Sequence, residues 1–138
     1  VFTFDIFDLA ATATCRNNLT TVVDAGISVL HTPGTQTPVL VVSVIKMSFM
    51  GDHEDREYLC VLEVVGPDEQ VRISKDIKIN TIRPPGTHRE LPIANVLITP
   101  LPFIPAEFGL FTVKFYLAGE ATREAKLLIH PVHADPFA

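Results

Sequence analysis

From Phe111 to Leu117 the apolar residues Phe111, Val113, Phe115 and Leu117 fall on one parity, with Thr112, Lys114 and Tyr116 on the other. That period of two predicts a strand with one buried face. Ala125, Leu127 and Ile129 repeat it against Glu124, Lys126 and His130, and Ala118-Gly119-Glu120 joins the two runs. Gly119 supplies the permissive backbone that a tight reversal needs. The stretch Glu107 to Val132 is therefore expected to be a hairpin with a common apolar face. Its six large inward side chains represent about 9 to 18 kcal/mol of gross burial measured against an extended chain. A second layer must cover such a face.

The same reading runs back along the chain. Leu9 to Cys15 alternates and stops at Arg16-Asn17-Asn18, a strand followed by a turn. Leu19 to Thr32 resumes the pattern, with Gly26 expected to mark a bulge. Pro33 to Pro38 is a loop of strong breakers. Val39 to Phe49 carries apolar residues on both parities near its start, as a central strand covered on both faces would; beyond Ser43 only Ile45, Met47 and Phe49 keep the pattern. Tyr58 to Val65 is a further strand, turned at Gly66-Pro67-Asp68-Glu69-Gln70. Val71 to Asn80 alternates except for Lys75 on the apolar parity, which predicts an edge strand. Leu91 to Thr99 is the next strand, and Pro100, Pro102 and Pro105 hold the backbone extended up to the closing hairpin.

About eight strand-like runs, with turn signals between them and no capped amphipathic helix, give the expected fold: all-β, an antiparallel Ig-like β-sandwich. A chain of 138 residues with 47% hydrophobic content is sized for one domain over 1–138 with its own core.

A net charge of −5 without a basic block argues against nucleic acid or an anionic membrane surface as partner. Asp5 and Asp8 interrupt the apolar N-terminal residues and no Lys or Arg precedes them, so no signal peptide is expected there. The chain begins at Val1, which leaves a trimmed upstream segment open, and a cytoplasmic location is the expectation. Pro38 to Met50 is too short to span a bilayer. Cys15 and Cys60 form no CxxC pair; a cross-sheet disulfide between them is geometrically allowed, and free buried thiols are the expectation.

Candidate chemistry is sparse. The loop Gly51 to Glu57 gathers four carboxylates and His53, but its spacing matches no calcium loop and Arg56 offsets its charge, so a solvated loop is expected. His130, His133 and Asp135 cluster near the end, where positions three apart on a strand point to opposite faces. Ser28, Ser43, Ser48, Ser74 and the two cysteines stand in no nucleophile signature, and no Gly-rich phosphate loop is present. Phe103, Phe108 and Tyr116 are the rings most open to stacking against a sugar, although packing is their expected use. No catalytic, metal or cofactor residue is therefore assigned, and no cofactor is expected.

Asn95, Leu101-Pro102-Phe103, the lead-in Glu107-Phe108-Gly109-Leu110-Phe111 and the turn Ala118-Gly119-Glu120 together resemble a bacterial family of small Ig-like β-sandwich domains with no assigned function. Val61 to Asp68 is similar to that family's Pro-Asp-Gly hairpin, with Glu69 in place of Gly, and Phe111 stands where Tyr is commoner. The resemblance implies a fold and no catalytic residues. A non-enzymatic module that binds another protein or plays a structural role is the expected function, with homo-oligomerisation open. It would work through a sheet edge or the loops Pro33 to Pro38, Gly51 to Glu57 and Arg83 to Arg89. A small-ligand or carbohydrate binder is the alternative, and an enzyme with an unrecognised site comes third.

Overall fold

The computed structural model describes residues 2–16, 19–23, 26–49, 51, 54–88, 90–118 and 120–132; for 2–3, 12–16, 19–23 and 120–122 it is the backbone that is described. Within these residues the chain forms ten strands: β1 (Phe2–Ala10), β2 (Thr12–Arg16), β3 (Leu19–Val23), β4 (Val29–Thr32), β5 (Val39–Phe49), β6 (Glu57–Val65), β7 (Val71–Asn80), β8 (Ile93–Phe103), β9 (Gly109–Leu117) and β10 (Glu120–Pro131). No α-helix occurs among the described residues, so none is long and apolar enough to cross a membrane.

Two sheets form the layers. One has the order β1-β5-β8 and the other β4-β10-β9-β6-β7, with β2-β3 as a separate hairpin. The inward residues of the closing hairpin do what their parity requires: Phe111, Val113, Phe115, Leu127 and Ile129 are fully buried, and Leu117 is half-buried. They meet Leu9, Val41, Ile45, Met47, Phe49, Leu101 and Phe103 from the opposite sheet in one core. Phe4 meets Phe115 edge-on at 5.9 Å, a favoured aromatic geometry.

β5 is the central strand its composition predicts. Its odd apolar residues Val41, Ile45, Met47 and Phe49 enter the main core, while Val42 and Val44 join Ala10 and Ile98 in a second cluster on the other face. The backbone of β2 runs beside β5 and β8. β7 is the edge of its sheet, and Lys75 on its inward parity is exposed, the arrangement that blunts an edge.

The two sheets hold the expected eight strands, and the separate β2–β3 hairpin brings the total to ten: Leu9 to Cys15 divides at the bend Ala11 between β1 and β2, and Leu19 to Thr32 divides into β3 and β4. Two expectations are corrected. Gly26 is not a bulge within one strand: at φ +78 it lies between β3 and β4, where its N–H and that of Ile27 donate to Leu9 O at 3.0 and 3.1 Å. The sandwich is not purely antiparallel, since β4 runs parallel to β10, pairing Val29 with Leu128 and His31 with His130. The chain reaches β4 from the β1 edge of one layer, and β1 lies next to β10 across the layers. It therefore joins the second sheet by a crossing rather than by a hairpin turn, and a crossing permits the parallel direction.

Candidate binding cleft

Each end of the sandwich is held by one arginine. At the first, Arg72 of β7 donates from Nε to Pro105 O at 2.6 Å and from Nη1 to Gln70 O at 3.1 Å. Its guanidinium faces Asp68 at 3.1 Å and Glu107 at 3.5 Å, and lies over the Phe111 ring. Asp68 N–H donates in turn to Glu107 Oε1 at 3.0 Å. The hydrogen bond from Arg72 holds the Asp68 carboxyl below its ordinary value of 3.8. Gly66 leaves room for this guanidinium, because a β-carbon there would stand 2.6 Å from Arg72 Nη2. The turn at Asp68 and the lead-in at Glu107 are thus occupied in tying two loops together. The loop Pro33 to Pro38 joins this end, where Ala106 N–H donates to Thr35 O at 2.8 Å.

At the other end the loops Gly51 to Glu57 and Arg83 to Arg89 come together, because β5 and β7 deliver the chain to the same rim. Arg83 bonds the Glu54 carboxylate and donates from Nη1 to His88 O at 2.6 Å and Leu91 O at 2.8 Å. Both side chains are mostly buried, at 12% and 22% exposure. The bond to Glu54 raises the Arg83 pKa further above its ordinary value, so the group stays charged. Beneath it, buried Thr81 accepts from Arg56 N–H at Oγ1, 3.0 Å, and Asp55, at φ +53, donates its N–H to Thr81 O at 2.7 Å. Among the described residues, Arg83 is the cation bonded to the acidic loop, at Glu54; Asp52 and His53 lie outside them. Sequence reasoning missed Arg83 and Thr81; their one signal is a cation just before Pro84-Pro85, opposite an acidic loop.

These loops bound a cleft of about 700 Å³, lined by Gly51, Glu54, Asp55, Arg83, Gly86 and Thr87. Pro84 and Thr87 also wall a second groove of about 550 Å³ beside residues 92–96 and Lys46. The two depressions share a wall and carry charge of both signs with backbone on the rim. That arrangement suits recognition by hydrogen bonding more than burial of an apolar ligand.

The other candidates do not converge on the cleft. His133 and Asp135 lie outside the described residues. His130 instead stacks on His31 across the β4–β10 pair, with ring centroids 6.1 Å apart. No group of three or more His, Cys, Asp or Glu that could hold a metal ion occurs among the described residues. Cys60 is a free, buried thiol, with desolvation pushing its pKa up to about 11; the Cys15 side chain lies outside the described residues. Tyr116 donates to Glu63 Oε1 at 2.9 Å on the outer face of the sheet, which raises its phenol pKa. Phe103 is core, whereas Phe108 is exposed, and neither lines the cleft. In comparison with known proteins, no family model matches the chain and no curated sequence does.

Proposed function

We propose that this chain is a non-catalytic, Ig-like β-sandwich module that binds another protein at the end held by Arg83. The observation that carries this reading is the convergence of two polar loops on one rim. Arg83 ties Glu54, His88 and Leu91 together, so these residues are held in place before a partner arrives and lose little entropy on binding. Both charged groups at the centre of the rim, Glu54 and Arg83, bond each other, which favours recognition over acid–base chemistry. Ig-like describes the two-layer arrangement, from which the parallel β4–β10 pair departs.

Thr87→Arg tests the reading by filling the wall shared by the cleft and the groove. A protein captured from the source organism's lysate by the wild-type chain and lost with T87R supports it. Capture that T87R leaves unchanged moves the interface elsewhere. A glycan or metabolite whose thermal shift T87R abolishes, with no protein captured, replaces it with the small-ligand alternative.

A further inference from the structure

The order β1-β5-β8 gives β8 one ladder partner among the described residues. Other sheet edges carry protection. β7 has Arg72, Lys75, Asp76 and Lys78; β4 has four residues; β1 carries Asp8, with a register break beside Asp5; the second half of β8 has Pro100 and Pro102. From Ile93 to Thr99 the edge reads Ile-Ala-Asn-Val-Leu-Ile-Thr, with no charge, proline or glycine, and its register with β5 is unbroken. An edge of that kind is a template for another strand.

The ladder shows which backbone groups are on offer. Leu9 O accepts from Gly26 and Ile27, so Leu9 turns its backbone polar groups away from β5, and its partner Ser43 is not bonded to β1. Bonded and non-bonded pairs alternate in an antiparallel ladder. Ser43 therefore bonds toward β8, to its partner Thr99, and Leu97, Asn95 and Ile93 follow on the same parity. Ala94, Val96 and Ile98 then direct N–H and C=O out of the sheet. Pro100 and Pro102 share their parity, where a missing N–H removes no ladder bond. Residues 92–96 also line the groove walled by Pro84 and Thr87. At its inner side Asn95 Nδ2 is buried without a hydrogen-bond partner.

We infer that the β8 edge over Ala94, Val96 and Ile98 receives an extended segment of a partner protein as an added strand. Pro84 and Thr87 wall the same groove as residues 92–96, so the added strand is taken to lie between that wall and the edge, as one extended chain. Residues of the incoming strand alternate between the sheet's faces. Its inward side chains lie beside Asn95 and Leu97, and Lys46 lines the same groove, which selects a segment without basic residues, with an apolar residue next to Leu97 and a hydrogen-bond acceptor next to Asn95. Three outward residues supply up to about six main-chain hydrogen bonds, the source of affinity in strand addition. This inference rests on the protein-binding reading and names how that end is used.

Val96→Pro is the discriminating variant. It deletes an outward N–H and, like Pro100, leaves the β5 ladder whole, whereas Leu97→Pro breaks that ladder and should unfold the edge. The probe is a displayed library of random seven-residue peptides, followed by synthesis of those enriched. Expected results are enrichment of alternating sequences free of basic residues on the wild-type chain, with binding at least tenfold weaker to a folded V96P. Amide exchange at Ala94, Val96 and Ile98 should be fast in the free protein and slowed by bound peptide. No enrichment, or equal binding to V96P, overturns the inference. So does a wild-type dimer that V96P converts to monomer in sedimentation, which would give the edge to a second copy. A natural partner dislodged by T87R but retained by V96P would uphold the module while sinking the edge.

Discussion

A β-carbon built on Gly109 would stand 2.9 Å from Pro67 Cγ, which makes this glycine and this proline a matched pair. Gly109 also sits at φ +137, a conformation that other residues rarely adopt. Gly109→Ala should therefore destabilise the fold by about 2 to 4 kcal/mol, seen as a lower urea midpoint at unchanged slope. In a Pro67→Ala background the same change should cost less, because only the backbone strain remains. Equal losses in both backgrounds would remove the contact from the explanation.

Arg72 joins the turn at Asp68 to the lead-in at Glu107. Arg72→Met keeps the bulk over Phe111 and removes the donors, and should cost about 1 to 3 kcal/mol in chemical denaturation. The pH dependence has a definite sign. Because Asp68 is held below its ordinary value of 3.8 in the fold, its stabilising effect is present above that pH and is lost as pH falls through the lower folded value. The stability gap between wild type and Asp68→Asn should therefore be constant near neutrality and close in strong acid. A gap that widens in acid contradicts this linkage.

Ala118 turns the closing hairpin at φ +51 and is exposed. An alanine in the left-handed region is strained, and asparagine tolerates it better. Ala118→Asn creates an Asn-Gly turn with Gly119 and should stabilise the domain by about 0.5 to 1 kcal/mol. Calorimetry reads this as a melting temperature raised by a few degrees, and a lowered one would contradict the turn geometry.

Cys60 is the buried thiol of β6, with its pKa raised from 9.0 to about 11 by desolvation. In a Cys15→Ser background a thiol reagent at pH 8 should label it slowly in the native state and rapidly in urea. The neutral thiol favours the fold, so this contribution is full below pH 9 and is lost as pH rises towards 11. Cys60→Ala should show less of that alkaline decline.

Lys75 protects the β7 edge. Lys75→Val restores the apolar alternation and should promote self-association, measured by light scattering, with little change in melting temperature.

Much of this architecture is legible in the periodicity. Val39 to Phe49 and the pair Gly109 to Pro131 appear where alternation places them, because a half-buried sheet imposes a period of two. Lys75 gave away its edge for the same reason. The break at Ala11 was not legible, since the alternation of Leu9 to Cys15 continues unaltered across a bend. Nor was the parallel β4, because four residues of Val-Leu-His-Thr carry no mark of direction. The strand read as Leu91 to Thr99, with Pro100 and Pro102 only holding the backbone extended, in fact continues to Phe103, since the parity of those prolines faces away from β5. The cleft was legible only as two polar loops; their meeting through Arg83 depends on where β5 and β7 end.

The parallel pair of β4 with β10 sets the order in which the molecule can be completed. Ninety-nine positions separate Val29 from its partner Leu128 (128 − 29), whereas the β6–β7 and β9–β10 pairs join neighbours in sequence. Contacts between distant positions form late because the loop between them must first be closed. During synthesis the β4 segment therefore waits without its ladder until β10 has emerged. A chaperone, or a chance encounter with another nascent chain, has that interval in which to act on it.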